Sequence, residues 1–160
     1  VDINLNLLLH DFFINKKFSL SVAESCTSGL IASSLTSVAG SSKYFKGGIV
    51  AYNDKVKATL LGINEELILQ KSSVSEEVVS AMASKVAEKF ESNFAIATSG
   101  YAGPTSNTKN IPIGTVFIAV KTPENIYIQK FLFSGDRKII IEQAKNKAFE
   151  MLIGEIKKIK

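Results

Sequence analysis

Tryptophan is absent from this 160-residue chain, and cysteine, histidine and arginine occur once each, as Cys26, His10 and Arg137. One cysteine excludes an intramolecular disulfide and a zinc site built from several thiolates. It fits a compartment that keeps thiols reduced, so a cytoplasmic location is expected. One histidine leaves a Ser-His-Asp arrangement only His10 to draw on. That residue sits in an apolar helical pattern near the N-terminal end. No run approaches the roughly 20 apolar residues of a membrane span, and the start lacks the basic-then-apolar pattern of a secretory signal. Charge of one sign is scarce too. Nineteen basic and 15 acidic residues leave a net +4, and Lys157, Lys158 and Lys160 at the end carry much of it. With no tryptophan to stack on bases, neither a nucleic-acid partner nor a membrane partner is expected.

What remains is a chain with 46% hydrophobic residues, enough for the core of one domain over 1–160. Helices are expected over Asp2–Lys16, Thr27–Thr36, Asp54–Leu61, Ser75–Glu91 and Arg137–Lys157. The first carries Leu5, Leu8, Leu9, Phe12 and Phe13 as its apolar stripe. Strands are expected over Leu20–Ala23, Gly47–Tyr52, Phe94–Thr98, Gly114–Val120 and Ile126–Phe133. The uninterrupted apolar run Phe94–Thr98 suits a strand buried on both faces. Helices flanking strands throughout imply an α/β fold with a mixed sheet.

Three polar segments follow predicted strands: Glu24–Gly29, Tyr52–Lys57 and Ser99–Pro104. Ligand sites in open α/β sheets lie beyond the carboxyl ends of strands, so one cleft is expected. The first segment, Glu24-Ser25-Cys26-Thr27-Ser28-Gly29, packs hydroxyls, a thiol and a carboxylate into a strand-to-helix corner. Amides at such a corner can hold an anion or an oxyanion. Ser25 is a candidate nucleophile, Cys26 its rival. A simple N-cap role for Ser or Thr there competes with both. With histidine unavailable, the base would be a lysine whose pKa burial lowers. Lys57, one turn into a helix after a strand, is well placed; Lys55 and Lys43 compete. Glu24 can orient Ser25 or Lys57, bind a substrate hydroxyl, or favour a helix start. Gly100 and Gly103 permit close backbone approach to a ligand. Arg137 can clamp a phosphate or carboxylate.

Taken together, Ala23–Gly29, Ala39–Ser42, Gly47–Tyr52, Lys57, Val74–Glu76, Gly100–Pro104, Ile113–Val116 and Ser134–Arg137 resemble the CinA C-terminal domain of competence/damage-inducible proteins, a family that includes nicotinamide-nucleotide amidases. The resemblance implies a compact α/β/α sandwich. It implies hydrolysis of the carboxamide of nicotinamide mononucleotide to nicotinate mononucleotide and ammonia, in pyridine-nucleotide salvage, with no cofactor and no metal. It places the family's serine at Ser25 and its lysine at Lys57. Substrate or oxyanion contacts are expected among Glu24, Cys26, Thr27, Ser28, Gly29, Tyr52, Asn53, Ser99, Gly100, Gly103 and Arg137. A small-molecule nucleotide would be the partner, and a homo-oligomer is plausible for this family. Two departures stand out. Ser28 occupies a position that is usually glycine, and Thr105–Asn110 lacks the glycines that usually follow the Gly100–Pro104 motif. The alternative reading is a non-catalytic nucleotide-binding or competence-related interaction module.

Overall fold

In a computed structural model that describes residues 4–105 and 110–159, the five strands form one open sheet with the order β2-β1-β3-β4-β5. They are β1 (Leu20–Glu24), β2 (Phe45–Val50), β3 (Phe94–Gly100), β4 (Thr115–Lys121) and β5 (Ile126–Leu132). β1 pairs in parallel with both β2 and β3, whereas β3–β4 and β4–β5 are antiparallel. The sheet is therefore mixed, as expected. The helices are α1 (Leu5–Lys16), α2 (Leu30–Thr36), α3 (Asp54–Leu61), α4 (Glu65–Lys71), α5 (Glu76–Phe90) and α6 (Arg137–Ile156), with a single 3-10 turn at Ser41–Lys43.

Strand alternation divides the core into two layers. Leu20, Val22, Phe94, Ile96, Val116, Ile118 and Val120 join Leu9 and Phe13 of α1, Ile31 and Leu35 of α2 and the buried stripe of α6. Ala23, Ala95, Ala97 and Ala119 face the other way, toward Val78, Val79, Met82 and Val86 of α5. Alanine on that face lets α5 pack close to the sheet, and branched side chains fill the other side. The result is a three-layer α/β/α sandwich with β3 in its centre.

Several expected boundaries move. Leu8 is exposed, so the α1 stripe is narrower than the sequence pattern suggests. α1 starts at Leu5 behind the N-cap Asn4, and the expected start at Asp2 lies outside the described residues. α2 starts at Leu30 rather than Thr27, because Ser28 (φ 53°) and Gly29 (φ 96°) hold left-handed conformations that no right-handed helix contains. β2 ends at Val50 instead of Tyr52, and β3 runs on to Gly100. α4 was not foreseen. It has seven residues and buries only Ile68, too little for an apolar stripe to register.

Candidate functional site

The parallel alignment of β2, β1 and β3 brings their carboxyl ends to one edge of the sheet. The three polar segments that follow them meet there around a cleft of about 820 Å³. Ser25 and Cys26 come from the first segment, Tyr52 to Lys55 and Lys57 from the second, and Ser99 to Gly103 from the third. Arg137, at the start of α6, closes one side.

Ser25 is 5% exposed and sits one residue beyond β1. Its amide donates to the Thr98 carbonyl at 3.1 Å, which carries the β1–β3 ladder one rung past the strand end. Its carbonyl accepts from the Ser28 amide at 3.1 Å, closing a tight turn. That turn needs the left-handed φ at Ser28, a conformation glycine adopts freely and serine only at some strain. Beneath it, the hydroxyls of Thr27 and Thr98 are 2.8 Å apart and fully enclosed.

The corner's charge is already spoken for. The Glu24 carboxylate accepts from the Ile31 amide at 2.9 Å through one oxygen and from the Ala32 amide at 3.0 Å through the other. It satisfies two of the donors that every helix leaves open at its start. Neither Thr27 nor Ser28 caps α2; the N-cap is Gly29, without a side-chain bond. Glu24 thus holds the helix that follows the corner, and the amides it binds are not available to a ligand.

Lys57 lies one turn into α3, whose N-cap Asn53 accepts from the Val56 amide at 2.9 Å. Lys57 and Leu61 share the face that α3 turns to the core, which is why the lysine is only 2% exposed. Burial lowers its pKa, because an ammonium loses more hydration there than an amine does. Asp54, with Oδ1 3.7 Å from Nζ, pulls the other way. Burial is the larger influence. The same burial pushes the Cys26 thiol up to about 12, against the lowering influences of Thr98 and of the nearby Lys57 charge. A thiol so placed stays protonated and is a poor nucleophile.

The third segment forms the opposite wall. Ser99 donates through its hydroxyl to the Ser73 carbonyl at 2.7 Å. A Cβ at Gly100 would meet the Thr115 carbonyl oxygen at 2.5 Å, so only glycine fits there. Gly103 has φ 86° and its Cβ position lies 2.7 Å from Ile113 Cγ2. Arg137 reaches this wall: one Nη donates to the Gly103 carbonyl at 2.6 Å and the other to the Tyr52 hydroxyl at 2.6 Å. It ties the loop after β3 to the loop after β2.

Four residues expected to contact a ligand do not line the cleft: Glu24, Thr27, Ser28 and Gly29. The first two are buried inside the corner and Ser28 points outward. Lys43 is exposed elsewhere, and His10 bonds the Tyr44 hydroxyl through Nδ1 at 3.1 Å, away from the cleft. A segment that was not foreseen contributes instead, Ile68 to Val74 at the end of α4, with Lys71 among its residues. The N-cap Asn64 and the acidic first and basic last turns of Glu65–Lys71 are its traces in the sequence. Of the loop Thr105–Asn110, residues 106–109 lie outside the described residues. Among the described residues, three lysines, Lys55, Lys57 and Lys71, and Arg137 line the cleft, against one carboxylate, Asp54. Among the described residues no cluster of three or more His, Cys, Asp or Glu side chains is placed to hold a metal. None of the described helices is long and apolar enough to cross a membrane.

Known proteins resemble this chain in sequence and in fold. A CinA-like protein of Flavobacterium psychrophilum is 48% identical over 157 residues, which are 98% of this chain and 38% of that protein. A CinA-like protein of Thermosipho melanesiensis is 46% identical over 136 residues, 84% of this chain and 34% of that protein. The chain thus spans about a third of the length of these relatives. Among solved structures, the competence damage-inducible protein A of Klebsiella pneumoniae superposes with a TM-score of 0.94 at 29% identity, covering 98% of this chain and 97% of that one. A competence/damage-inducible protein of Agrobacterium tumefaciens gives 0.89 at 32% identity, with 95% of each chain covered. The family model described as the CinA C-terminal domain matches residues 3–156, and the chain belongs to that family.

Proposed function

We propose that this chain is an amidohydrolase that converts nicotinamide mononucleotide to nicotinate mononucleotide and ammonia, with Ser25 as nucleophile and Lys57 as base. The observation that carries the reading is a buried lysine, its pKa lowered by burial, in the same cleft as a serine at a strand-to-helix corner. Neutral Lys57 takes the Ser25 proton as Oγ bonds to the carboxamide carbon. The tetrahedral oxyanion forms against backbone amides. Within the corner, Ser28, Ile31 and Ala32 amides are already engaged. The amides of Cys26, Thr27 and Gly29 donate to no backbone carbonyl among the described residues and are open to this task. Protonated Lys57 returns its proton to the leaving nitrogen, the C–N bond breaks and ammonia departs. A water molecule, deprotonated by Lys57, then cleaves the ester and restores Ser25.

The excess of cations over carboxylates around the cleft suits a substrate that carries a phosphate. Both Nη groups of Arg137 are engaged with protein acceptors, so Lys55 and Lys71 are the free-standing cations for it. Ammonia release from nicotinamide mononucleotide by the wild type, Ser25→Ala and Lys57→Ala tests the reading. Turnover by the wild type and loss of it in both variants is the expected result. Binding of the nucleotide without ammonia would instead favour a non-catalytic module.

A further inference from the structure

Thr98 contacts two residues of the nucleophile corner. Its carbonyl accepts from the Ser25 amide at 3.1 Å. Its hydroxyl lies 2.8 Å from that of Thr27. Thr98 has no exposed surface and belongs to β3, the central strand, where it is the register partner of Glu24 on one side and Ile118 on the other. A hydroxyl among the apolar side chains of this layer is costly unless it is paired, and its partner here, Thr27, lies in the corner. Valine would have the same shape and no such cost. The corner itself has little else to hold its side-chain layer. Its backbone turns through a left-handed serine and glycine, and the following helix is secured separately by Glu24.

We propose that Thr98 is a positioning residue, whose hydroxyl bond to Thr27 holds the corner in the form that aims the Ser25 side chain into the cleft. The proposal rests on Ser25 being the nucleophile. Thr98 does not line the cleft and so acts through its neighbours. Misplacing a reacting group by about 1 Å can cost on the order of a hundredfold in rate. A residue that only stabilised the fold would lower the melting temperature without a selective effect on turnover.

The experiment compares the wild type with Thr98→Val and Thr98→Ser for ammonia release from nicotinamide mononucleotide, with melting temperatures measured alongside. Thr98→Val is expected to lower kcat by roughly tenfold to a hundredfold with KM within about twofold. Thr98→Ser, which keeps the hydroxyl, is expected to restore kcat to within about threefold of wild type. If Thr98→Val does not fold, Thr27→Val removes the same hydroxyl pair from the corner side and is expected to lower kcat in the same selective way. Unchanged kcat in the valine variant, or an equal loss in the serine variant, overturns the proposal. A wild type that releases no ammonia defeats the proposed activity. In that case the rate of Ser25 labelling by a fluorophosphonate decides the role of Thr98. Slower labelling of Thr98→Val than of wild type upholds it, and equal rates or no labelling of wild type overturn it.

Discussion

Lys57 Nζ lies 3.7 Å from Asp54 Oδ1, one helical turn back along α3, and among the described residues Asp54 is the only carboxylate that lines the cleft. Asp54 favours the protonated lysine and burial favours the neutral one. A lysine base works only when neutral, so activity should rise with pH through the Lys57 pKa. Asp54→Asn removes the raising influence, and the rising limb of the kcat/KM profile should move to lower pH. A pH–rate profile of the two proteins checks it, and a limb that stays in place would detach Lys57 from the rate.

The same lysine should weaken the fold. Its pKa is lower folded than unfolded, so between those two values the unfolded chain binds the extra proton and stability rises with pH. Below the folded pKa the whole cost of burying the ammonium is present. Lys57→Met removes that cost and should stabilise the protein by about 1 kcal/mol while abolishing turnover. The gain should be largest at acidic pH and shrink toward pH values above an ordinary lysine pKa. Denaturant unfolding at two pH values measures this.

Glu24 should behave as a structural residue. Glu24→Ala leaves the amides of Ile31 and Ala32 without acceptors, one of them fully buried. That should cost about 2–4 kcal/mol. Glu24→Gln keeps one acceptor oxygen and should fall between the two. Thermal melts rank the three.

Arg137→Lys should not preserve function, because an ammonium cannot span the Gly103 carbonyl and the Tyr52 hydroxyl as the guanidinium fork does. KM for nicotinamide mononucleotide should rise on the order of tenfold. Tyr52→Phe alone should cost less, and in the Arg137→Lys background should add little, because both changes break the same bond. A double-mutant cycle in kcat/KM reads the coupling.

Cys26→Ala should keep activity within about one order of magnitude of wild type. The thiol, pushed up to about 12, is protonated at any working pH and serves as packing beneath Ser25. Parallel ammonia-release assays of Cys26→Ala and Ser25→Ala separate the two side chains.

One cleft was suggested by the polar segments that follow predicted strands, but that the ends converge is visible only in the parallel pairing of β1 with β2 and β3. The fold class followed from the same alternation of helix and strand. Glu24 was harder. Its place before a helix suggested a charge near the start, but the carboxylate reaches over six residues to Ile31, a distance that only the left-handed turn at Ser28 and Gly29 creates. Thr98 was hidden inside an apolar run, where a hydroxyl carries no periodic signal. Lys71 was missed with α4, whose Leu69 is 84% exposed and breaks any apolar stripe. The bond of Thr98 to Thr27 joins residues 71 positions apart, which spacing alone does not encode.

The antiparallel return of β4 and β5 has a practical consequence. Because β4 starts at the cleft edge and runs away from it, the turn Thr122–Asn125 lies at the far end of the sheet from Ser25 and Lys57. The turn is held by Thr122, whose Oγ1 accepts from the amides of Glu124 and Asn125 at 3.3 and 3.1 Å. That end is the natural attachment point for a fluorophore or a tether to a surface, since cargo fixed there would hang on the side of the molecule where no nucleotide has to enter or leave.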